Sequence, residues 1–431
     1  MKIAVIGGGI SGLAVAWLLH KKHQVMLFEA ADYVGGHTHT VDVTVDGQTF
    51  PVDTGFLVFN HQTYPQLTAL FNHLGIDTVA SDMSFSVSLD SPAMAWAGTS
   101  LGTLFAQKSN LLRLGFWRML KDILRFNQET KSILNAEISL NTYLLKNHYS
   151  NEFRDWYLLP MAAAIWSCPT ATMLHYPLVS FVRFARNHGL LQIFNRPPWL
   201  TVRHGGREYV KRILESLPDV RIQTRVDAIT PALKGNTLRW TKRDKDLTIV
   251  DEETFDEVIF ACHSSQAKTI LGQAATPDEI RLLSAIPYQP NKVYLHTDTQ
   301  LLPKDPRVWA SWNYLSGTAD ARHEVPNPVS VSYLLNRLQP LPVTTPIILS
   351  LNPAKLPDPQ RVLGQFDYAH PMFDLSAIHA QSQLMALQGK HHRWYCGAWT
   401  GYGFHEDGLN SAIAVASKLG CHPPWQLKNT T

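Results

Sequence analysis

Two short stretches at opposite ends of the chain carry residue types that can do chemistry. Near the start, Gly7-Gly8-Gly9-Ile10-Ser11-Gly12 follows the apolar run Ile3-Ala4-Val5-Ile6, and Glu29 ends a second apolar run. Near the end, His405-Glu406-Asp407-Gly408 joins an imidazole to two carboxylates. The first arrangement is typical of phosphate binding at a helix start. The second favours either proton transfer or helix capping.

The glycine-rich stretch predicts a dinucleotide-binding turn between a strand and a helix. Gly7 permits a tight turn, Gly9 lets the backbone approach a pyrophosphate, and Gly12 lets the helix pack against the sheet. Glu29 lies at the spacing where a carboxylate accepts hydrogen bonds from ribose hydroxyls, and an acid there favours FAD or NAD over NADP. The cofactor contacts expected from this motif are Gly7, Gly9, Ser11, Gly12, Glu29 and Ala30.

Length and composition are those of an ordinary globular enzyme with two domains. The chain has 431 residues, and its net charge of +3 is too small to indicate nucleic acid as a partner. Four cysteines without C-x-x-C spacing signal neither a disulfide framework nor a zinc site, and a reducing cytosol fits. No apolar run reaches about twenty residues, so no membrane span is expected.

The segment after Glu29 extends the motif as E-x-x-x-x-x-G-G, ending in Gly35 and Gly36. This extension resembles the flavin amine oxidase superfamily, whose members bind FAD in a two-domain fold. The resemblance implies FAD as the cofactor and further contacts at Gly35, Gly36, His37 and Thr38. The superfamily usually has Arg or Lys after the second glycine, and a neutral imidazole at His37 is a weaker partner for a pyrophosphate.

The same resemblance implies where the rest of the cofactor lies. A ribbon predicted over residues 40–52 leads to Gly55 and Phe56, which in the superfamily pass beside the flavin ring. Val226 matches the residue whose backbone pairs with adenine. The closing segment resembles the last flavin contact, where a helix starting near Gly408 would point N–H groups at the flavin N1–C2=O edge. Its expected contacts are Gly397, Ala398, Gly408 and Leu409, although the superfamily usually has Asp or Glu where this chain has Ala398.

The predicted fold class is α/β, with an FAD-binding Rossmann-like domain of the two-dinucleotide-binding type and a second α+β substrate domain made of a mixed sheet and a helical cap. Residues 1–80, 200–283 and 385–425 are expected to form the FAD-binding domain. Residues 81–199 and 284–384 are expected to form the substrate and cap domain. The pattern predicts a helix over residues 60–75, mostly helix over 101–159, and single strands at 220–226 and 256–262. Strands of the second sheet are predicted at residues 292–298, 309–314, 329–336 and 345–352.

The catalytic candidates are His405, which can move protons or orient substrate, and Glu406 beside it. The alternative is structural, because Glu406 and Asp407 can cap the closing helix. Amine oxidases of the superfamily use a lysine near the flavin, and Lys292 is the best-placed lysine here. No metal site is expected, because H-E-D-G lacks a second histidine four residues on.

A basic amphipathic segment lies in the predicted cap. Its apolar face is formed by Leu112, Phe116, Met119, Leu120 and Ile123, and its basic residues are Lys108, Arg113, Arg118, Lys121 and Arg125. Such a helix either covers the substrate cavity with a solvated basic face or lies on an anionic membrane surface. Both interpretations stay open, so the expected location is cytoplasmic, with peripheral contact to a membrane surface as the second interpretation.

The chain also resembles a bacterial branch of predicted FAD/NAD-binding oxidoreductases, through VDTGFLVFN, SDMSFSV, AAAIWS, NHGLL and YCGAWTGYGFHEDGL. Members of that branch tend to accompany cyclopropane-fatty-acid-synthase-like methyltransferases. The resemblance implies an FAD-dependent oxidoreductase that dehydrogenates or oxidises an apolar substrate such as a lipid or a modified fatty acyl chain, with a methyltransferase as a partner. The alternatives are a flavin-dependent amine or amino-acid oxidase and a redox-neutral protein that holds FAD for a partner.

Overall fold

The computed structural model describes residues 1–130, 138–192, 197–244, 247–316 and 330–427. Parts of three predicted elements fall outside these ranges, namely residues 131–137 of the helical stretch, residues 245–246 of a ribbon that the pattern predicts over residues 238–250, and residue 329 of a predicted strand. Among the helices described, none combines the length and the apolar character that a bilayer crossing needs.

The helices fall into three groups along the chain. The first group is α1 (Ile10–Leu19), α2 (Pro65–Leu74), α3 (Leu101–Leu104), α4 (Leu114–Glu129), α5 (Leu140–Lys146), α6 (Asn151–Phe153) and α7 (Leu159–Trp166). The second is α8 (Thr170–Leu174), α9 (Leu178–Asn187), α10 (Arg207–Leu214), α11 (Ser264–Leu271) and α12 (Pro277–Ser284). The last is α13 (Leu335–Leu338), α14 (Leu375–Gln383) and α15 (His405–Lys418).

The strands come from both halves of the chain. The first half contains β1 (Lys2–Ile6), β2 (Gln24–Phe28), β3 (Thr40–Val45), β4 (Gln48–Asp53), β5 (Thr78–Ser81), β6 (Phe85–Asp90), β7 (Ala93–Ala97), β8 (Trp199–Val202) and β9 (Val220–Arg221). The second half contains β10 (Thr224–Pro231), β11 (Asn236–Asp244), β12 (Leu247–Phe255), β13 (Glu257–Phe260), β14 (Tyr288–His296), β15 (Trp312–Leu315), β16 (Ser330–Leu334), β17 (Ile348–Leu351), β18 (Val362–Pro371) and β19 (Arg393–Tyr395).

A five-stranded parallel sheet forms the layer on which the glycine motif lies. Its order is β19-β13-β1-β2-β9, with β1 in the centre. Ile3, Ala4 and Val5 are fully buried, as a central parallel strand requires. The strand, glycine turn, helix and strand predicted from the first residues are therefore confirmed. The strands of this sheet come from distant parts of the chain. The exact domain boundaries stay a prediction.

A seven-stranded mixed sheet builds the second layer, in the order β18-β14-β17-β16-β15-β6-β7. Only the pair of β15 with β6 is parallel. The mixed α/β architecture was predicted and is confirmed. The longest of these strands, β18, was not predicted, because its residues are mostly half-exposed and its sequence gives no clear alternation of apolar and polar side chains.

Three predicted elements differ from the structure. The strand predicted over residues 220–226 is divided between β9 of the parallel sheet and β10 of a separate three-stranded sheet, because Gln223 between them has a left-handed φ of 51°. The helix predicted from residue 60 begins only at Pro65, whose ring favours a first helical position. The closing helix begins at His405 and not near Gly408, because Phe404 is extended and its N–H donates to Asp407 Oδ2 at 3.0 Å.

Candidate functional site

The first turns of α1 and α15 lie against each other at the carboxyl edge of the parallel sheet. Gly408, in the first turn of α15, comes so close to α1 that a Cβ there would lie 2.8 Å from Ser11 Oγ and 2.9 Å from Ile10 Cγ2. The first N–H groups of a helix have no carbonyl partner within it, and its N-terminal end carries a partial positive charge. Two such ends therefore meet where the sequence predicts the cofactor.

The glycine loop is built to let another molecule approach one face. Gly9 has φ −72° and ψ −176°, and a Cβ there would meet no heavy atom within 4 Å among the described residues. By contrast, a Cβ on Gly12 would lie 1.8 Å from Gly7 O. The two glycines therefore have different roles. Gly12 is required by the packing of the protein itself, whereas Gly9 borders open space. That space fits the pyrophosphate of FAD at the start of α1.

A second glycine pair closes the other side of this space. The N–H of Gly35 donates to Gly8 O at 2.9 Å, and a Cβ on Gly36 would lie 3.1 Å from Gly9 Cα. The extension of the motif thus folds back onto the motif itself. Gly36 is needed for this close approach to Gly9, and Gly35 is needed because its φ is 137° and a Cβ there would lie 2.3 Å from Thr38 O.

Two backbone N–H groups hold the carboxylate of Glu29 beside the glycine turn. Its Oε2 accepts the N–H of Gly8 at 2.8 Å and its Oε1 accepts the N–H of Ala31 at 2.9 Å. Each carboxylate oxygen has a second lone pair, so both can also accept a ribose hydroxyl. Ala30 is exposed beside it. Val226 lies in β10, which starts next to Glu29 through the Thr224 N–H bond to Glu29 O at 2.8 Å.

Gly55 is required by a close approach to the chain itself. A Cβ on Gly55 would lie 2.1 Å from the carbonyl oxygen of His37, and the N–H of Phe56 donates to that same oxygen at 2.8 Å. The backbone after the first ribbon is thereby tied to the loop that follows Gly36. Whether Gly55 and Phe56 also contact the flavin stays a prediction.

His405 links the closing helix to this loop. Its Nε2 lies 2.8 Å from Thr38 Oγ1 and 3.3 Å from the hydroxyl of Tyr209, and its ring stacks on Phe56 at 3.9 Å. Burial, and to a lesser degree the charge of His37, lower the pKa of His405 to about 3, so the imidazole is neutral at ordinary pH. These contacts give His405 an anchoring position, and a catalytic role for it stays a prediction.

Glu406 and Asp407 are occupied as helix caps. The two oxygens of Glu406 accept the N–H groups of Gln66 and Leu67, each at 2.9 Å, at the start of α2. Asp407 caps its own helix, as predicted from the sequence. Burial raises the pKa of Glu406 to about 7 and that of Asp407 to about 6. The structure thus gives Glu406 a cap of a neighbouring helix, which sequence reasoning had not identified, and leaves its catalytic role untested.

A cluster of neutral histidines, His37, His263 and His370, lies beside the glycine turn and was not found from the sequence. The ring of His37 lies 5.1 Å from His370 and 6.2 Å from His263. Burial lowers the pKa of His37 and His263 to about 4 and that of His370 to about 3. Nε2 of His37 is buried and has no hydrogen-bond partner among the described residues, which fits a polar cofactor group as its acceptor or donor. In the described parts of the chain, no group of three or more His, Cys, Asp or Glu is arranged to hold a metal ion.

Lys292, the lysine candidate from the sequence, lies on an exposed surface, whereas Trp399 is part of the core. The ammonium of Lys292 pairs with Asp367 at 2.6 Å and its side chain is 59% exposed, so Lys292 is not the lysine that amine oxidases place near the flavin. Trp399 is buried, and its Nε1–H donates to Cys262 O at 3.1 Å. It follows Gly397 and Ala398 in a tight turn before α15 and serves as packing there.

A cavity of about 400 Å³ opens beside the starts of α2 and α15. Its lining consists of Gln62, Thr63, Tyr64, Pro65, Asn187, His188, Tyr402, Phe404, Glu406, Asp407 and Asn410. Phe184 supports the aromatic part of this wall, because its ring stacks on Phe404 at 4.8 Å and lies 5.9 Å from Tyr402. The cavity therefore combines an aromatic wall with two carboxyl groups that already serve as caps.

Comparison with known proteins assigns the chain to a family. Residues 10–336 match the flavin containing amine oxidoreductases, which is more than half of the chain, and the protein belongs to this family. It is accordingly an FAD-dependent oxidoreductase, and the glycine loop, the start of α1 and His37 fit that cofactor.

Similarity to individual proteins is more limited. A 1-hydroxycarotenoid 3,4-desaturase from Flavobacterium sp. (strain P99-3) is 31% identical over 159 residues, which are 34% of this chain and only 31% of that protein. A CLA-producing fatty acid isomerase from P. acnes matches with a TM-score of 0.66 at 13% identity, over 97% of this chain and 98% of the other. Cyclohexylamine oxidase from Brevibacterium oxydans IH-35A matches with a TM-score of 0.65 at 16% identity, over 97% and 99%. The two structural matches show a shared fold and leave the substrate open.

Proposed function

We propose that this FAD-dependent oxidoreductase dehydrogenates or oxidises an apolar substrate, such as a lipid or a modified fatty acyl chain. The observation that carries the proposal is the aromatic wall of the cavity, formed by Tyr402 and Phe404 and supported by Phe184. Bound FAD supplies the two-electron chemistry, and the protein provides position and surroundings. An apolar chain is the kind of molecule that such a wall orients without an ionic contact.

Arg183 adds a feature that suits an acidic head group. It lies on α9 one residue before Phe184, it is exposed, and its positive charge acts on the hydroxyl of Tyr402, which lines the cavity. A guanidinium at the edge of an aromatic cavity is well placed to pair with a carboxylate. The partial similarity to a carotenoid desaturase agrees with an apolar substrate.

The second candidate is an amine or amino-acid oxidase. Glu406 and Asp407 line the cavity, and a carboxylate beside aromatic rings can hold an ammonium group. Against this, burial raises the pKa of both groups and their oxygens already accept backbone N–H bonds. The negative charge available to an amine near neutral pH is therefore reduced. A third possibility, a redox-neutral FAD holder, predicts a flavin that does not turn over.

The test compares substrates on the flavin-loaded protein. Anaerobic photoreduction followed by addition of oxygen or an artificial acceptor first establishes that the flavin turns over. A panel of fatty acids, their methyl esters and small amines is then monitored by flavin bleaching and by peroxide formation. We expect bleaching by an apolar acyl substrate and none by amines. Bleaching by amines alone would overturn the proposal, and an inert flavin would favour the redox-neutral alternative.

Two arginines of α9, Arg183 and Arg186, allow a controlled test of pairing with an acidic head group of the substrate. Arg183→Leu should raise KM for a fatty acid and leave KM for its methyl ester unchanged, because only the acid has a charge to pair. Arg186→Leu is the control, since Arg186 is exposed on the same helix and donates to Thr130 O at 3.3 Å instead. Equal effects of both substitutions would contradict the assignment of Arg183. The methyltransferase partner remains part of the proposal, and comparison of lipid extracts from cells with and without the protein would test it.

A further inference from the structure

The segment from α3 to α4 exposes a group of large apolar side chains to solvent. Leu112 is 88% exposed, Leu114 80% and Leu101 75%, and smaller exposed areas belong to neighbours along the same segment. We name this group the leucine surface; its members are Leu101, Leu111, Leu112, Leu114, Trp117 and Leu124. Single exposed leucines are ordinary, but several large exposed apolar side chains on one short segment mark an interaction site.

Local contacts fix the leucine surface in place. The turn Lys108–Leu112 leads through Arg113 directly into α4, and the indole N–H of Trp117 donates to Leu111 O at 2.9 Å. The ring of Phe105 lies 5.5 Å from that of Trp117. The exposed apolar residues are thus presented by an ordered turn and the first turns of a helix.

The leucine surface is not the core-facing side of α4. The helix buries Phe116, Met119 and Phe126 against the protein. Leu114, Trp117 and Leu124 occur at helical spacing on the opposite side, where Lys121 lies between them along the helix. The apolar face predicted from the sequence mixed these two sides, because Leu112 is exposed whereas Phe116 and Met119 are buried.

Positive charges surround the leucine surface. In the parts of the chain that the structure describes, no carboxylate forms an ion pair with Lys108, Arg113 or Lys121. The acidic groups nearby are already paired, since Glu152 contacts Arg118, and Asp122 and Glu129 contact Arg125. Leucine and tryptophan interspersed with lysine and arginine are typical of helices that lie in the interface of an anionic membrane.

We propose that the leucine surface docks this protein on an anionic lipid bilayer, with the leucines and Trp117 entering the interface and Lys108, Arg113 and Lys121 facing the head groups. Charge complementarity selects this partner, because a neutral apolar partner leaves the unpaired cations without counter-charges. The proposal does not depend on the identity of the substrate, and it would hold equally for either candidate function.

The test is co-sedimentation of the flavin-loaded protein with phosphatidylcholine vesicles, prepared with and without phosphatidylglycerol. We expect binding to the anionic vesicles that is at least about tenfold stronger than to the neutral ones and that weakens with salt. The double variant Leu112→Glu with Leu114→Glu should lose about tenfold or more in binding. The double variant Lys108→Gln with Lys121→Gln should lose the preference for the anionic lipid.

The matched control is Leu233→Glu in the turn between β10 and β11, where the leucine is also fully exposed. It should bind vesicles as the unsubstituted protein does. Bound flavin absorbance and the unfolding midpoint verify that each variant is folded, and the milder Leu112→Ser replaces the double variant if that one fails. The proposal would be overturned by absence of vesicle binding, by an equal effect of Leu233→Glu, or by sedimentation velocity showing that the leucine surface joins two copies of the chain instead.

Discussion

Gly9 offers the most direct test of the cofactor site, because the chain itself does not need a glycine there. Its φ of −72° and ψ of −176° suit any residue, and a Cβ would meet no heavy atom within 4 Å among the described residues. Gly9→Leu should therefore fold normally. The new side chain would instead occupy the open space at the start of α1, where we place the pyrophosphate of FAD.

The size of the effect follows from the bonds that the pyrophosphate would lose. Hydrogen bonds to a charged group contribute about 1.5–3 kcal/mol each. Loss of two such bonds from backbone N–H groups at the helix start amounts to about 3–6 kcal/mol, or roughly 10²- to 10⁴-fold in Kd. Gly9→Ala should fall between this variant and the unsubstituted protein, since a single methyl group fills less of the space.

The assay is titration of apoprotein with FAD, followed by flavin fluorescence, together with the unfolding midpoint of the apoprotein. Gly9→Leu should bind FAD weakly and unfold at the unsubstituted midpoint. Gly12→Ala is the contrasting variant, because its Cβ would lie 1.8 Å from Gly7 O and should disturb the fold itself. FAD binding by Gly9→Leu that matches the unsubstituted protein would refute the placement of the phosphates at this turn.

Two further predictions concern the histidines. The pKa of His370 is lowered to about 3 in the folded protein, against about 6.5 in the unfolded chain, so its contribution to stability is present above pH 6.5 and is lost as pH falls towards 3. Between pH 7 and pH 5 this loss is about 2 kcal/mol, and in urea unfolding of apoprotein His370→Gln should reduce the difference in stability between these pH values by that amount. The buried carboxyl of Asp53, whose pKa is raised to about 6, makes the folded protein more stable as pH falls, and His370→Gln should leave this contribution unchanged. If the stability of His370→Gln depends on pH as strongly as that of the unsubstituted protein, the prediction is wrong. His405→Ala should keep FAD, slow turnover and lower the unfolding free energy by about 1–3 kcal/mol, through loss of its bonds to Thr38 and Tyr209; unchanged turnover with the same loss of stability would show that His405 only anchors the loop.

The parts of the fold that were predictable are those whose signal is local in the sequence. The first strand, the glycine motif, α1 and the second strand all lie within the first thirty residues. Their apolar runs and glycines predict this arrangement without any long-range information. The mixed sheet was predicted from apolar strands such as β14 and β17. By contrast, β18 is half-exposed and gives no such pattern, although it carries His370 into the site.

The histidine cluster could not be predicted from the sequence for a related reason. His37 follows the glycine motif, His263 follows β13, and His370 lies at the end of β18. No spacing in the sequence connects these three segments, and only the packing of the two sheets brings the rings of His370 and His263 to 5.1 and 6.2 Å from that of His37. A histidine in the place of the expected Arg or Lys was visible at position 37. The two neutral histidines beside it, His263 and His370, could not be identified from the sequence.

Gly408 has a packing role in the structure that the sequence did not predict. The sequence predicts a helix start near this glycine, with N–H groups that face the flavin. The structure begins α15 three residues earlier, at His405, and uses Asp407 as the cap. Gly408 is a glycine because α1 passes so close that any side chain would collide with Ser11 and Ile10. Gly12 has the same role on the other side of α1, against the turn after β1. The two glycines therefore hold α1 between the sheet and α15, and this packing brings both helix starts to one edge of the sheet.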